Sequence, residues 1–163
     1  MNTLETKRLI LRDWELTDLD DFSEMWLNPN VTIPHGDNPK RCKDECLPML
    51  RYLINTKNNY AVKLKTTGKV IGSVGLNEDA DNNPNGRNLG YMLNETYWNN
   101  GYMQEALNDI IAAASEVTSF LSAGFWHDNE NPKSKHIIKK LGFTYVKTII
   151  SGERKFDYYV LTL

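Results

Sequence analysis

The stretch from Leu89 to Ala106 constrains the fold and the function of this chain more than any other segment. Residues Asn88 to Leu93 predict a strand that carries a glycine, and the end of the stretch opens an amphipathic helix. Between them lies the run Trp98-Asn99-Asn100-Gly101-Tyr102-Met103, and Asn and Gly adopt positive φ most easily. Such a turn directs several backbone N–H groups to one point, with the helix dipole behind them. It predicts a site for phosphate or pyrophosphate, against the alternative of a plain strand-loop-helix connection.

Length and charge limit the classes of protein to which the chain can belong. Its 163 residues, 40% of them hydrophobic, are enough for one domain with its own core, so we expect a single domain over residues 1–163. The formal net charge of −2 provides no basic field, so we expect neither nucleic acid nor membrane as a partner. No segment is apolar enough to span a bilayer, and Met1 to Lys7 lacks a signal-peptide core, which predicts a cytoplasmic location.

Metal-ligating residues do not cluster in the sequence. Cys42 and Cys46 lie four residues apart, and no second Cys/His pair at ligand spacing accompanies them. The histidines at positions 35, 127 and 136 form no ligand motif either. We therefore expect no metal, and we interpret the cysteines as a reduced pair without a catalytic role.

Two helices are predicted in the first third of the chain. Thr17 is a candidate N-cap for the first, which Asn28-Pro29-Asn30 should stop. Residues 31–41 are rich in Pro, Gly, Asn and Asp and predict a loop. Asn38-Pro39 is a candidate start for the second helix, and Pro48 should kink that helix or delay its start.

Two further helices follow the central stretch. The first begins after the turn, and its predicted buried positions recur at spacings of three and four: Met103, Ala106, Leu107, Ile110, Ala114 and Val117. Glu105 in its first turn is favoured by the helix dipole, so we interpret it as structural rather than as a base. The turn Asp128-Asn129-Glu130-Asn131-Pro132 opens the last helix, with Asn131 as its cap, and Gly142 ends it.

Strands are predicted where apolar residues alternate or run together between turns. They span residues 8–12, 60–65, 70–76, 88–93, 120–126, 144–150 and 156–163. The second and third form a hairpin closed by Thr66-Thr67-Gly68-Lys69. The predicted order is therefore strand, two helices, three strands, helix, strand, helix, two strands.

Three segments resemble the GNAT family of N-acetyltransferases, and most closely its branch of ribosomal-protein N-terminal acetyltransferases, RimJ/RimL. Gly90-Tyr91, followed by Trp98-x-x-Gly101-Tyr102-Met103-x-Glu105-Ala106, is similar to the acetyl-coenzyme A loop of that family. The family pattern there is Gln/Arg-x-x-Gly-x-Gly/Ala, so Trp98 and Met103 depart from its first and last positions. Asn131-x-x-Ser134 with Lys140-Leu141-Gly142-Phe143 is the second segment, and Glu5 to Arg12 is the third.

The resemblance implies a fold and a reaction. The fold is α+β (mixed α/β), the GNAT acyl-CoA N-acyltransferase fold, with a central, mixed, mostly antiparallel sheet flanked by helices. The reaction is transfer of acetyl from acetyl-CoA to a primary amine, which attacks the thioester directly in a ternary complex without a metal. The implied acceptor is a protein or peptide N-terminus or a small-molecule amine, and the implied assembly is a monomer or a homodimer.

The resemblance also implies roles for individual residues. The backbone N–H groups of one set would bind the pyrophosphate: Asn99, Asn100, Gly101, Tyr102, Met103 and Gln104. The pantetheine arm would run along a second set, where Gly90 leaves room and an N–H near Met92 polarises the thioester: Tyr91, Met92 and Leu93. Ser134 would protonate the leaving thiolate, Asn131 would bind the coenzyme arm, and Lys133 would meet the 3′-phosphate. An early-helix serine without chemistry and a solvated basic face are the alternatives for Ser134 and Lys133.

The acceptor side of the site is less defined by the resemblance. The loop near Ile33-Pro34-His35-Gly36 would contact the acceptor, which makes His35 a candidate contact, with a solvent-exposed histidine as the alternative. Many relatives carry Glu where this chain has Asn88, which cannot act as a base. We expect a water relay first, ahead of the candidate carboxylates Glu78, Asp79, Glu153 and Asp157. A non-catalytic acetyl-CoA-binding sensor or interaction module is the alternative function.

Overall fold

The computed structural model describes residues 2–128 and 131–163, so Asn129 and Glu130 of the predicted turn lie outside the described residues. The helices are α1 (Leu19–Trp26), α2 (Pro29–His35), α3 (Leu47–Thr56), α4 (Tyr102–Ala114) and α5 (Pro132–Lys140). The strands are β1 (Leu4–Glu5), β2 (Leu9–Arg12), β3 (Asn59–Leu64), β4 (Val70–Glu78), β5 (Gly86–Leu93), β6 (Phe120–Trp126), β7 (Thr144–Ser151) and β8 (Arg154–Thr162). Short 3-10 helices span Leu16–Asp18, Lys43–Glu45 and Glu95–Tyr97. Across the described ranges no helix combines the length and apolarity that crossing a membrane requires.

The strands form one mixed sheet in the order β1-β2-β3-β4-β5-β6-β8-β7. Strand β5 runs parallel to β6, whereas β2 with β3, β3 with β4, β6 with β8 and β7 with β8 pair antiparallel. Each predicted strand is present within a few residues of its predicted ends. The two-residue β1, which places Leu4 opposite Leu11, was not predicted. The predicted α+β class with a mixed, mostly antiparallel sheet is confirmed.

The first of two compact units comprises Met1–Gly75 and Tyr91–Asp109, and three aromatic residues pack together in its core. The ring of Trp14 meets that of Phe22 edge-on at 5.1 Å between centroids, and Phe22 packs on Trp26 at 5.7 Å. Other members of this buried cluster are Met25, Val31, Cys46, Leu50, Leu53, Ala61, Val70 and Met92. Cys46 packs there as a small apolar residue, and burial raises the pKa of its thiol.

The second unit comprises Leu76–Gly90 and Ile110–Leu163. Strands β6, β8 and β7 are neighbours in it, with Phe120 opposite Thr162 and Tyr145 opposite Tyr159. Helix α5 contributes Ile138, which is fully buried, as is Leu121 of β6. Asn131 caps α5 as predicted, because its side chain accepts a hydrogen bond from the backbone N–H of Ser134. Gly142 follows the helix with φ of 94°, which fits its predicted role as the stop.

The start of the first helix differs from the prediction. Thr17 is not its cap: residues Leu16–Asp18 form a 3-10 helix, and α1 begins at Leu19. The cause is an ion pair, because the Asp18 carboxylate accepts two hydrogen bonds of 2.8 Å from the guanidinium of Arg12. Asp18 also accepts the backbone N–H of Glu15 at 2.9 Å. A buried charge is tolerated when it is paired in this way, and here the pair decides the local backbone.

The predicted loop over residues 31–41 is wrong in its first half. The side chain of Asn28 accepts the N–H of Asn30, so the segment that stops α1 also opens α2. Pro29 lies in the first turn of α2, where a missing N–H costs nothing. His35 therefore ends a helix rather than lying in a loop, and its Nδ1 is 2.7 Å from a carboxylate oxygen of Asp37.

Two other helix boundaries resolve expectations from the sequence. Pro48 delays its helix rather than kinking it, since α3 begins at Leu47 and places Pro48 in the first turn. Helix α4 ends at Ala114, so Val117 lies beyond it and is 75% exposed. The prediction that Val117 is buried is therefore wrong, whereas the other five positions predicted to be buried in this helix are buried.

The tightest backbone approach in the central strands of the first unit occurs at Gly72, a position that the sequence does not single out. A Cβ at Gly72 would lie 2.9 Å from the carbonyl oxygen of Met92 and 3.2 Å from a methyl of Leu93. A backbone oxygen cannot rotate away, so any larger residue here has to separate β4 from the end of β5.

We expect Gly72→Ala to lower the free energy of unfolding by about 1–3 kcal/mol, as overpacking does. Gly90→Ala is the matched control, because its Cβ would meet Asn77 at an ordinary 3.5 Å. That variant should be neutral, or more stable by up to about 0.5–1 kcal/mol, because Ala loses less entropy than Gly in a strand. Urea unfolding of both variants checks this, and equal stabilities would contradict it.

Candidate functional site

The turn between β5 and α4 is held by its own polar side chains. The indole N–H of Trp98 donates to the carbonyl of Leu93 at 2.8 Å, and the Asn94 side chain accepts the N–H of Thr96 at 3.1 Å. The Asn100 amide donates back to the carbonyl of Trp98 at 2.8 Å. Trp98 thereby ties the turn to the end of the strand. Trp98 stands where the GNAT pattern has Gln or Arg, and this hydrogen bond accommodates the indole there.

The backbone of this turn adopts positive φ at two of its residues. Asn99 has φ of 62° and Gly101 has φ of 74°, which agrees with the expectation from the Asn-Asn-Gly run. Helix α4 begins directly afterwards, and the N–H of Glu105 donates to the carbonyl of Gly101 at 3.1 Å. The first-turn N–H groups before it have no partner within the helix and, with the dipole of a 13-residue helix, favour an anion.

A second set of contacts joins the N-terminal segment to this turn. The Glu105 carboxylate accepts from the Thr6 hydroxyl at 2.5 Å, from the Arg8 backbone N–H at 2.8 Å and from Arg8 Nε at 2.6 Å. Arg8 also donates to the carbonyl of Asn100 at 3.0 Å, and its guanidinium lies 4.4 Å from the centre of the Tyr102 ring. Burial raises the pKa of the Glu105 carboxyl, but the hydrogen bonds from Thr6 and Arg8 lower it more. Glu105 is therefore ionised and fully engaged, which agrees with its structural interpretation.

The end of β5 carries one buried and two half-buried side chains. The Met92 side chain belongs to the buried core, whereas Tyr91 and Leu93 are half-buried. The N–H of Asn94 donates to the carbonyl of Ile71 at 2.8 Å, so the pairing with β4 continues past Leu93. A ligand along this segment would meet the half-buried side chains of Tyr91 and Leu93.

The start of α5, in the second unit, carries the other predicted site residues. Asn131 Oδ1 accepts the N–H of Ser134 at 3.1 Å, and the Asn131 carbonyl accepts the N–H of Lys135. Asn131 and Ser134 are half-buried, and Lys133 is exposed. The cap thus fixes the backbone from which the Ser134 hydroxyl projects.

A buried carboxylate lies at the centre of a polar network in the second unit. Asp79 is 3% exposed and accepts from the Ser122 hydroxyl, from the Tyr158 hydroxyl at 2.8 Å and from the backbone N–H of Asp81 at 3.1 Å. Asn88 donates to the Ser122 oxygen at 3.3 Å. Burial raises the pKa of Asp79, but the hydrogen bonds from Ser122, Tyr158 and the backbone lower it below its ordinary value. Burial and the Asp79 contact raise the pKa of Tyr158 to about 12.

The other carboxylates considered as bases are bonded or exposed. Asp157 lies 2.7 Å from His127 Nε2 and accepts from Thr148 at 2.9 Å, while Lys135 Nζ is 3.5 Å away. Burial raises the pKa of Asp157, but His127, Thr148 and Lys135 lower it more. Glu78 and Glu153 are exposed. Both Asp79 and Asp157 are therefore poor proton acceptors at neutral pH.

The sequence predicted the turn and the helix cap, but it did not predict several residues that take part in the contacts described above. The turn and strand residues belong to the first unit, whereas Asn131, Lys133 and Ser134 belong to the second. Gly72, Ser122 and Tyr158 carried no signal in the sequence. Arg8 stood inside a recognised pattern, but nothing in the sequence pointed to its partner Glu105.

Comparison with known proteins identifies the family. A family model described as an acetyltransferase (GNAT) domain matches residues 8–144, well over half of the chain. The chain belongs to the GNAT acetyltransferase family. It is 32% identical over 117 residues to the uncharacterized N-acetyltransferase p20 of Bacillus licheniformis, a match that covers 68% of this chain and 65% of p20. The match thus spans just under two thirds of the length of p20.

Two solved GNAT-fold structures agree with the architecture. An acetyltransferase of the GNAT family from Bacillus anthracis has a TM-score of 0.81 at 19% identity, covering 99% of this chain and 98% of that one. An acetyltransferase from Salmonella typhimurium, described as modifying the N-terminal serine of 50S ribosomal subunit protein L7/L12, has a TM-score of 0.77 at 13% identity and covers 99% of both chains. At these identities, the two structures show the fold alone.

Family membership supplies the general chemistry. The chain carries an acetyl-CoA-dependent acyltransferase domain, and GNAT proteins use acetyl-CoA as cosubstrate and act on amine acceptors. Within the described residues, no group of three or more His, Cys, Asp or Glu side chains is arranged to hold a metal ion.

The Asp79 network makes a prediction about stability and pH. Because its folded pKa is lowered, Asp79 stabilises the fold above about pH 4, and this contribution is lost as the pH falls further. We expect Asp79→Asn to lower the free energy of unfolding at pH 7 by about 1–3 kcal/mol.

The difference between the variant and the wild type should shrink as the pH falls below about 4, since protonation removes the same charge from the wild type. Tyr158→Phe is the companion variant. The raised Tyr158 pKa stabilises the wild type below about pH 10, a contribution lost as the pH approaches about 12. Urea titrations across pH measure both, and a pH-independent difference for Asp79→Asn would contradict the assignment.

Proposed function

We propose that this protein transfers the acetyl group of acetyl-CoA to a primary amine by direct attack within a ternary complex. The observation that carries the proposal is the pair of positive-φ residues, Asn99 and Gly101, directly before α4. That backbone leaves first-turn N–H groups available to a pyrophosphate, which is the polar centre of coenzyme A. Membership of the GNAT family supports the choice of coenzyme.

The coenzyme contacts are proposed residue by residue. The pyrophosphate binds the N–H groups of residues 99–104, and the pantetheine arm follows Tyr91, Met92 and Leu93. An N–H near Met92 polarises the thioester carbonyl. Asn131 binds the arm, and exposed Lys133 meets the 3′-phosphate.

The leaving group receives its proton from Ser134 in this proposal. As the amine attacks the thioester carbon, a tetrahedral intermediate forms, and its collapse breaks the C–S bond and releases a thiolate. A hydroxyl placed near that sulfur donates the proton. The Asn131 cap supports the assignment, because it holds the Ser134 backbone by a 3.1 Å hydrogen bond.

An ordered water, rather than a carboxylate, removes the proton from the acceptor ammonium. Asn88 has no basic atom, and the carboxylates of Asp79 and Asp157 already accept several hydrogen bonds each, which lowers their pKa values. A rate that rises with pH as the free amine accumulates follows from this route.

The acceptor that we favour is a protein or peptide N-terminus, with a small-molecule amine as the broader class. The Salmonella typhimurium structure described as modifying the N-terminal serine of L7/L12 supports this choice, as does the RimJ/RimL-like pattern of the sequence. A cytoplasmic location and a monomeric or homodimeric state remain predictions.

A non-catalytic acetyl-CoA sensor is the second candidate function. The presence of Asn at position 88, hydrogen-bonded to Ser122 instead of offering a carboxylate, favours it. The two candidates differ in thiol release, because only the enzyme produces free coenzyme A in the presence of an amine.

We expect Gly101→Val to abolish stabilisation by acetyl-CoA while the protein still folds. The wild type should show a rise in Tm with millimolar acetyl-CoA, because the ligand binds only the folded state. At φ of 74°, a β-branched residue is strained whatever space surrounds it.

Gly68→Val is the matched control for this experiment. Gly68 also has φ of 74°, and its Cβ would meet only the Lys63 side chain, at 3.7 Å. Gly68→Val should therefore lose comparable stability but keep the acetyl-CoA shift. No shift in the wild type would contradict the proposed function, and a full shift in Gly101→Val would contradict the anion site.

We expect Ser134→Ala to lower turnover roughly ten- to a thousandfold, the lower range for one general acid, with little change in acetyl-CoA affinity. The Asn131 bond goes to the Ser134 backbone, so the helix cap survives the substitution. The measurement is thiol release against pH with a panel of N-terminal peptides and amines.

Ser115→Ala serves as a control, because it removes an exposed hydroxyl that donates to the carbonyl of Ala112. If Ser134→Ala is as fast as the wild type, Ser134 is not the proton donor. If the wild type binds the coenzyme but releases no thiol with any acceptor, the sensor is the correct function.

A further inference from the structure

Arg8 contacts the turn of residues 99–104, the proposed pyrophosphate site, and the start of α4 in three separate ways. It lies immediately before β2, yet its side chain reaches the carbonyl of Asn100 at 3.0 Å, the Glu105 carboxylate at 2.6 Å and the Tyr102 ring at 4.4 Å. Asn100 lies between the two positive-φ residues. Tyr102 is the first residue of α4, and Glu105 lies in the first turn of that helix.

The bond to Asn100 determines where the next N–H group points. In a trans peptide, the C=O of residue 100 and the N–H of residue 101 point in opposite directions. Because Arg8 Nη1 binds the Asn100 carbonyl, the N–H of Gly101 is directed away from Arg8. Gly101 has φ of 74° and little intrinsic preference among backbone conformations, so this peptide plane needs an external restraint.

The bond to Glu105 removes an electrostatic conflict. A carboxylate in the first turn of α4 stabilises the helix but repels an anion at the same helix terminus. Arg8 Nε lies 2.6 Å from one carboxylate oxygen, and Thr6 and the Arg8 backbone donate to the other. With Glu105 paired in this way, the positive end of the helix dipole is left for the ligand.

These contacts need a guanidinium rather than any cation. A flat group with donors on two edges can bind Glu105 and Asn100 together while its face lies on Tyr102, and a lysine ammonium cannot do all three. The Arg8 side chain is 40% exposed, so its position is set by these partners and not by burial.

We propose that Arg8 is a positioning residue for the coenzyme: through Asn100 and Glu105 it holds the 99–104 turn in its pyrophosphate-binding form. The inference rests on the proposed function and adds a residue outside the coenzyme contacts to it. If the inference is correct, substitution of Arg8 weakens binding of the diphosphate part of the ligand and leaves binding of the pantetheine part unchanged.

The test compares coenzyme A with S-acetyl-pantetheine. Coenzyme A carries the diphosphate, the adenosine and the 3′-phosphate that S-acetyl-pantetheine lacks. A change in the ratio of their dissociation constants on substitution of Arg8 therefore reports on the nucleotide half of the ligand, which includes the diphosphate. We expect Arg8→Ala to raise the Kd for coenzyme A roughly ten- to a hundredfold, since hydrogen bonds to charged groups are lost, and the Kd for S-acetyl-pantetheine less than about threefold. Arg8→Lys should show the same selectivity with a smaller loss.

Arg41→Ala is the matched control. Arg41 forms a similar ion pair, with its Nε 2.7 Å from Glu45, and it has no proposed part in the site. Its removal should leave both dissociation constants unchanged. Melting temperatures of all variants confirm that each is folded at the temperature of the titration, and Arg8→Lys carries the comparison if Arg8→Ala does not fold.

The outcomes separate this inference from the proposed function. A selective loss of coenzyme A affinity in the Arg8 variants supports the positioning role. Equal losses for both ligands, or no loss for either, overturn it and leave Arg8 as a purely structural residue. A wild-type protein that binds neither ligand overturns the proposed function itself.

Discussion

Ionised carboxylates that accept several hydrogen bonds hold distant parts of this chain together. Glu105 binds Thr6 and Arg8, which lie 99 and 97 positions away in sequence. Asp79 binds Ser122 and Tyr158, 43 and 79 positions away. Each carboxylate is surrounded by neutral or cationic donors, so the penalty for removing it from water is offset by charge-assisted bonds. Glu105 and Asp79 therefore act as cross-links between segments.

The same arrangement limits the chemistry available to these groups. A carboxylate that accepts two or three hydrogen bonds is stabilised in its charged form, and its affinity for a further proton falls. This applies to Asp79, Asp157 and Glu105, whose pKa values are all lowered. A base that works at neutral pH needs the opposite shift. The fold therefore uses its buried and half-buried carboxylates for stability, which is why a water molecule is the better candidate for deprotonating the acceptor.

The features that the sequence predicted well are local. Positive φ at Asn99 and Gly101 follows from residue type, and the Asn131 cap follows from a four-residue pattern. Hydrophobic alternation located the strands, because a half-buried strand has a period of two. The wrong start of the first helix has a different origin. Thr17 was a sound local cap, yet Asp18 pairs with Arg12 of another element, and that tertiary contact decided where α1 begins.

The residues of the candidate site also fall into those that local sequence predicts and those that depend on distant partners. The turn and the Asn131 cap were predicted because each is encoded within a few residues, whereas Arg8 and Gly72 act through partners far along the chain. Gly72 matters because of the carbonyl of Met92, and Arg8 because of Glu105 and the carbonyl of Asn100. A single sequence contains both members of each pair but no sign that they meet. Backbone carbonyls are especially hard to anticipate, since every residue has one.

Asn88 shows how the hydrogen bonding of a buried carboxylate is connected with the lack of a base at this position. Its amide donates to Ser122, whose hydroxyl in turn donates to Asp79. A glutamate at position 88, as many relatives have, would place a second carboxylate beside the first, and two like charges that share one hydroxyl raise the pKa of one of them. With asparagine at 88, Asp79 remains ionised and buried, and the position donates a hydrogen bond instead of accepting a proton. The neutral Asn88 in β5 and the ionised Asp79 are thus linked through the Ser122 hydroxyl in one arrangement.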